Sequence, residues 1–551
     1  MAPGSGSETL EMTSHQQKAE YDLSAAPVDV DTERNEHNGF KSTSADVANM
    51  LRMGKEQQLV RRFRVLSMAS FVAVATATWE FALFNVTAAL TNGGRPALIY
   101  GILWNVVGFC PIYLSMAELS SMAPIAGAQY HWVSEFSPES LQRSLSYLTG
   151  WTSTLAWQAG NAAGVFLVGS IVQILISLHN EAYTFPQWHT TLLAIAAVTV
   201  AYIGNTLGAK FLHMWQNVVF SLHVLVYLGI LIPIWVNAPR APSSNVWANF
   251  TFDGGWPSNG VAVLIGQQTA MFAQLGLDTQ CITLTPSLAA HMSEEVKNAS
   301  KAVPKAMIAI WLVNSVLAFT TFLTVAYHLP DINAGLNDPT LYPIIHILRQ
   351  SMSKEWMTVV LTFVLCLLVC SNMTYLAAVT RDIWAFARDQ GFPFSDWISR
   401  VDSKSHIPRN AISVTSAVSI ALSLIYIGSP VAFYAMTSLL TVALLQCYCL
   451  SIGCILWRRI VRPETLPPAT FPLGKMGVPI NIAAVLYALF AFFWAFWPTF
   501  YDVTAKNFNW ASAIFMGALV IAGIHFVFVA RHKYFGPVAH VQGRNIRTKL
   551  K

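Results

Sequence analysis

Residues 76–90, TATWEFALFNVTAAL, place an acid, Glu80, and an indole, Trp79, side by side in what otherwise reads as one long apolar helix. What that acid does depends on the solvent the helix meets. Across the chain 54% of the 551 residues are hydrophobic and 11% are charged, with a mean hydropathy of +0.47. That leaves too little polar surface to cover a water-soluble body of this size. Apolar runs of roughly 20 residues, the length a helix needs to cross a bilayer, recur along most of the sequence. The chain is therefore read as an all-α integral membrane protein with about 12 transmembrane helices. A carboxylate facing lipid near the middle of a span would cost about 2.5–3.5 kcal/mol on insertion scales, so Glu80 must be paired, protonated or solvated.

The spans are placed near residues 66–91, 97–119, 144–178, 189–208, 212–236, 261–285, 305–328, 356–380, 410–428, 431–457, 479–497 and 510–530. Residues 1–62 are polar, rich in Ser, Asp, Glu and Asn, and lack the apolar core of a signal peptide; they read as a disordered cytosolic tail. Residues 531–551 form a second, short basic tail. Lys and Arg flanking a span are retained on the cytosolic side. With both termini cytosolic, the outside segments carry only Arg95, Arg240, Arg349, Lys354 and Lys506 of the 33 basic residues, and this asymmetry sets the expected sidedness. The sequon at Asn249 then lies in the long outside loop 237–260, where a glycan can be attached. Those at Asn85, Asn298 and Asn372 fall within spans or inside. The seven cysteines lie almost all in apolar segments, without CxxC pairs, and are expected to pack.

No HExxH, no GxxxxGK[ST] and no dinucleotide fingerprint occurs, and the 14 histidines are scattered. A soluble catalytic site, a metal and a cofactor are therefore not expected, nor is a nucleic-acid partner. His223, in VFSLHVLVYLG near the middle of the fifth span, stands out by its depth. It is a proton site, a substrate contact, or a neutral imidazole hydrogen-bonded between helices. In the third span, WQAGNAAGVFLVG carries Gly160, Gly164 and Gly169, whose spacing predicts close helix packing. Gln158 and Asn161 beside them must find partners, on a neighbouring helix or in a solute cavity.

Four stretches together resemble one family: LTNGGRPALIYG (90–101), ELSSMAPIAGAQYHWVSEFSP (118–138), HMSEEVKNASKAVPKAM (291–307) and TRDIWAFARDQGFPFSDW (380–397). They look like the signature segments of fungal members of the amino acid, polyamine and organocation permease superfamily, in the branch of the yeast choline and GABA permeases. The resemblance implies a fold of two inverted five-helix repeats, residues 63–236 and 261–457, joined by the outside loop, with two extra helices in 458–530. It implies that the first helix of each repeat is broken near the midplane, where the solute meets freed backbone groups. Here those helices hold Glu80 and Asp278.

On this reading the substrate-binding set is Thr76, Thr78, Trp79, Glu80, Gln158, Asn161, Gly276 and Asp278, with Glu80 and His223 as proton sites. Glu80 holds the solute's ammonium group or makes a structural pair with a neighbouring span. Trp79 is a cation–π wall or a packed aromatic. Adjacent helical residues point about 100° apart, so both reach one solute only if the helix is unwound there. Glu294 and Glu295 with Arg381, Asp382, Arg388 and Asp389 lie at the cytosolic face, as an ion-paired inner gate or as loop anchors.

Two departures from the family pattern matter. Ala75-Thr76-Ala77-Thr78 stands where amino acid permeases have a glycine-rich break, which favours an amine-centred substrate over an α-carboxylate. TQCITLTPSL (279–288) intervenes before the AHMSEE motif, as an insertion or a misassigned splice junction. The implied function is not enzymatic. It is secondary active, proton-coupled uptake of a small amine-bearing solute such as choline, GABA or an amino acid, across the plasma membrane. The alternative is a non-transporting nutrient sensor of the same fold.

Overall fold

The computed structural model describes residues 77–125, 127–207, 212–275, 298–402, 407–427, 432–505 and 507–537, without the side chains of 212–217, 426 and 432. The described residues are helical throughout, apart from connecting segments and one isolated bridge between Asn92 and Phe252. Helices are what lipid demands of a spanning chain, because each satisfies its own backbone hydrogen bonds.

The principal helices are α1 (Thr78–Phe84), α2 (Thr87–Thr91), α3 (Gly94–Met122), α4 (Ala128–Phe136), α5 (Gln142–His179), α6 (Gln187–Leu207), α7 (Leu212–Asn237), α8 (Asn259–Gly266), α9 (Gln268–Gln274), α10 (Ala299–His328), α11 (Lys354–Arg388), α12 (Arg409–Leu424), α13 (Ala432–Val461), α14 (Gly477–Trp494) and α15 (Ala511–His525). Among the described residues nine helices are long and apolar enough to cross a membrane: α3, α5, α6, α7, α10, α11, α13, α14, and α15 with its extension to Lys533. The other three expected spans correspond to α1–α2, α8–α9 and α12. The first two are interrupted, and part of each expected span lies outside the described residues. The third has 16 residues and continues into a 3₁₀ turn, Ile425–Ile427.

The long α5 packs on α13, α11, α6 and α4, while α3 packs on α10 and α14. The expected close packing is visible on α5. A Cβ at Gly160 would lie 2.1 Å from the Tyr375 hydroxyl, and one at Gly164 would lie 2.2 Å from Asn372 Oδ1. Glycine at both positions lets α11 lie directly against α5.

The loops sort to two ends of the bundle. At one end Gly93 N–H donates to Thr251 O (2.8 Å), Asp253 N–H to Thr91 O (2.9 Å), Tyr501 N–H to Gly254 O (2.8 Å) and Asn92 Nδ2 to Thr499 O (2.8 Å), while Arg95 Nε reaches Leu329 O (2.8 Å). The connection 238–258 thereby roofs the first span. At the other end Arg458, buried, donates from Nη2 to Glu135 O (2.8 Å) and from Nε to Phe136 O (3.3 Å), closing the C-terminus of α4. Arg459 pairs with Glu118, whose Oε1 accepts Leu473 N–H at 2.9 Å.

The last span ends at this second end in a π-helical turn, Phe526–Ala530. Beyond it Tyr534 is fully buried, its hydroxyl 3.0 Å from Ser146 Oγ and its ring against Tyr147 and Phe386. Tyr147 Oη lies 2.7 Å from His525 Nδ1, and Arg143 Nη2 donates to Ala530 O at 3.1 Å. Nearby, the Tyr130 hydroxyl donates to Asp389 Oδ2 (3.0 Å). Burial, above all, pushes the Tyr130 and Tyr534 phenols well above their ordinary range, so both remain donors.

Candidate functional site

The described part of the first span begins where the sequence departs from the glycine pattern. Ala77 has φ 43° and ψ 41°, a left-handed conformation that costs an L-residue roughly 1–2 kcal/mol, and α1 begins immediately after it. Thr78 is thus the first residue of α1 and is buried. Thr76 lies outside the described residues. An interruption at Asn85 and Val86, not anticipated from sequence, separates α1 from α2.

Trp79 and Glu80 are both helical and both buried, so they diverge by about 100°. One imidazole reconciles them. Trp79 Nε1 lies 3.0 Å from His223 Nε2, and His223 Nδ1 lies 2.8 Å from Glu80 Oε1. An indole N–H can only donate, so Nε2 accepts, and the proton of the neutral ring sits on Nδ1, aimed at the carboxylate. One turn along α7, Tyr227 packs its ring 5.2 Å from that of Trp79. Its hydroxyl lies 2.6 Å from Thr320 Oγ1 on α10. Glu80 Oε2 is buried and has no hydrogen-bond partner among the described residues. The cluster therefore offers one open acceptor in a site closed to water, which a proton or a cationic N–H can satisfy.

The sixth span is interrupted too. It is divided at Gln267, between α8 and α9, and its side chains meet the first span: Phe81 and Phe272 lie 5.5 Å apart, and Ala89 N–H reaches Thr269 Oγ1 at 3.3 Å. Gly266 is required here, since a Cβ would lie 2.4 Å from the Asn92 carbonyl oxygen. At the end of α9, Gln274 is clamped from two sides. Its main-chain oxygen accepts the Tyr113 hydroxyl (2.5 Å), and its Oε1 accepts Trp311 Nε1 (2.9 Å) and Ser315 Oγ (3.0 Å). Its Nε2 is buried without a partner among the described residues. Gly276, Asp278, the segment 279–288, Glu294 and Glu295 lie outside the described residues.

Gln158 Nε2 donates to Thr415 Oγ1 (3.3 Å) and Asn161 Nδ2 to Ser419 Oγ (2.7 Å), so both amides bond to α12 and not to the Glu80 cluster. Their carbonyl oxygens are buried and have no partner among the described residues. On α11, Arg381 Nη1 donates to Ala377 O (3.0 Å), Arg388 stacks over Trp384 at 4.5 Å, and Asp382 is buried against Ser153 (3.1 Å) and Thr154 (2.7 Å). Asn249 is exposed at the end roofed by 238–258.

Sequence reasoning missed Tyr113, Tyr227, Gln274 and Trp311. It followed charges and isolated amides inside spans, whereas these residues acquire their role from helices distant in sequence. The intramembrane Gln274, in QQTAMFAQLGLD, carried the only advance signal: a buried amide needs partners.

The sequence profile described as amino acid permease matches residues 64–520. A candidate amino acid/polyamine transporter of Macrophomina phaseolina is 28% identical over 456 residues, 81% of this chain and 97% of its own. An uncharacterized amino-acid permease of Schizosaccharomyces pombe is 28% identical over 506 residues, 89% of each chain. An amino-acid permease of Arabidopsis thaliana is 26% identical over 518 residues, 89% of this chain and 95% of its own.

Proposed function

Since this chain belongs to the amino acid permease family, a family of multi-pass membrane transporters, we propose that it moves a small amine-bearing solute such as an amino acid, GABA or choline, together with a proton, with both termini cytosolic and the 238–258 segment outside at the plasma membrane. The observation that carries the reading is the Glu80 carboxylate, buried in the interrupted first span with one oxygen unpartnered among the described residues. Oε2 holds the solute's ammonium group, and Oε1 keeps its bond to His223. The co-transported proton enters at His223 Nε2. To accept it, the ring must give up the indole of Trp79, because a doubly protonated imidazole has no acceptor left. Proton binding thereby frees a side chain two residues from the left-handed Ala77, in the span that alternating access must move. A neutral histidine favours the Trp79-bonded state; a charged one favours release.

Radiolabelled uptake by proteoliposomes, against a panel of amines and amino acids and with an imposed pH gradient, tests this. Accumulation of an amine that follows the proton gradient supports it. Binding without uptake of any member would instead make the chain a sensor of the same fold. Uptake of solutes lacking an amine, as fast as of those bearing one, would overturn the role given to Glu80.

A further inference from the structure

Between α10 and α14, which pack on α3 from two sides, the surface holds an apolar groove of about 540 Å³. Its lining includes Cys110, Pro111 and Leu114 of α3, Trp311 of α10, and Pro479 and Ala483 of α14. Pro111, inside α3 on this face, has no N–H to give the preceding turn. α14 is nonetheless fixed to α3 by Tyr487 Oη on Asn105 Oδ1 (2.7 Å) and Asn481 Nδ2 on Ser115 Oγ (2.8 Å), so the groove does not close by sliding of the two helices.

Two further features single out an occupant. The first is charge at the rim. The groove runs toward the bundle end where residues 466–476 cross to α14, tied by Thr470 to the Ser300 carbonyl. Lys475 is exposed beside the lining residue Met476, and Lys301 and Lys305 are exposed on the first turns of α10. Lys305 lies six residues before Trp311, roughly 9 Å along the helix. Among the described acids next to α3 and the crossing segment, Glu118 is buried against Arg459, and Glu464 sits before the crossing segment. The second feature is the floor. Trp311 lines the groove and also donates to Gln274 Oε1, at the end of the broken sixth span.

We propose that this groove binds an anionic phospholipid, one acyl chain lying along α3 against Trp311 and the phosphate-bearing headgroup among Lys301, Lys305 and Lys475, and that its occupancy raises the transport rate by holding Trp311 on Gln274. Long aliphatic lysine stems suit this boundary, burying their methylenes while the ammonium reaches the headgroup. The assignment to the cytosolic leaflet rests on the sidedness proposed above; the site itself does not.

The full-length protein in nanodiscs, with phosphatidylserine carrying a diazirine on one acyl chain, tests the site without any transport. Crosslinks are expected in 106–114 and 476–483. Unlabelled phosphatidylserine should compete roughly ten-fold better than phosphatidylcholine, as two or three surface lysines acting on one headgroup allow. The triple variant Lys301→Gln, Lys305→Gln, Lys475→Gln should lose that preference and keep the crosslinks. Ala483→Trp, which fills the groove, should lose the crosslinks with either lipid. Equal competition by phosphatidylcholine, or stronger competition by ergosterol, would overturn the proposal.

Uptake by proteoliposomes then tests the coupling. Vmax should rise several-fold with phosphatidylserine in the wild type and not in the triple variant. An unchanged Vmax, with the crosslinks intact, would overturn the link through Trp311. Absence of uptake in every lipid would count against the transport reading and leave the lipid site to stand or fall on the crosslinks.

Discussion

Glu80→Gln removes one charge and keeps shape and most hydrogen bonding. A charge-assisted contact to the solute's amine should weaken by roughly 1.5–3 kcal/mol, about 10-fold to 150-fold in affinity. Binding and uptake measured separately, with surface expression checked, read this out; unchanged binding would return Glu80 to a structural pair with His223. His223→Gln tests the other half. It can still bridge Trp79 and Glu80 by an amide but cannot take up a proton at physiological pH, so solute exchange should survive while accumulation driven by a pH gradient is lost. Accumulation that follows the gradient unchanged would remove His223 from the proton path. Much of this was legible in the sequence: a lone acid, an indole and a histidine, each at depth in an apolar run, announce themselves by their cost. Their convergence was not, because no spacing rule relates residue 223 to residues 79 and 80. Adjacent helical side chains diverge by about 100°, and the imidazole bridges them by presenting two nitrogens in different directions.

The interrupted elements depend on contacts with little slack. Gly266→Ala would set a methyl 2.4 Å from a rigid carbonyl, that of Asn92. The first and sixth spans would have to separate, at a cost of about 1–3 kcal/mol. The expected outcome is a lower melting temperature in detergent and reduced uptake, and a variant as stable and active as wild type would show that the two spans do not need this approach. Twelve elements could be counted from the apolar runs because span length is set by the bilayer. The breaks were less visible. The one the resemblance implies in the first span falls at the edge of the described residues, where Ala77 is left-handed, and those at Asn85–Val86 and Gln267 carry no glycine or proline at the interrupted residue, so neither residue type announces them.

Across the whole molecule, the loops that charge counting assigned to one side do gather at one end: 92–96, 238–258, 329–330 and 499–501 are bonded together, while 118, 135–136, 458–459 and 473 meet at the other. Which end meets the cytosol is testable in sealed vesicles. Protease added outside right-side-out vesicles should cut at the Asn249 loop and spare a tag at residue 1, and cleavage of both from one side would reverse the topology argued from basic residues.

At the end opposite the Asn249 loop, Tyr534→Ala should cost about 3–5 kcal/mol, as for a buried aromatic, and Tyr534→Phe about 1 kcal/mol for the lost hydrogen bond; thermal melts of the two variants compare them. An alanine variant as stable as wild type would show that the socket closes without the ring. The Ser146 hydroxyl that receives Tyr534 precedes it by 388 residues. During synthesis, then, the crevice between α4, α5 and α11 stands open until residue 534 has been added. A message truncated just short of that codon yields a chain that carries α1–α15 and an aromatic hollow exposed at that end, a ready mark by which quality control can tell a shortened copy from one that has passed this point.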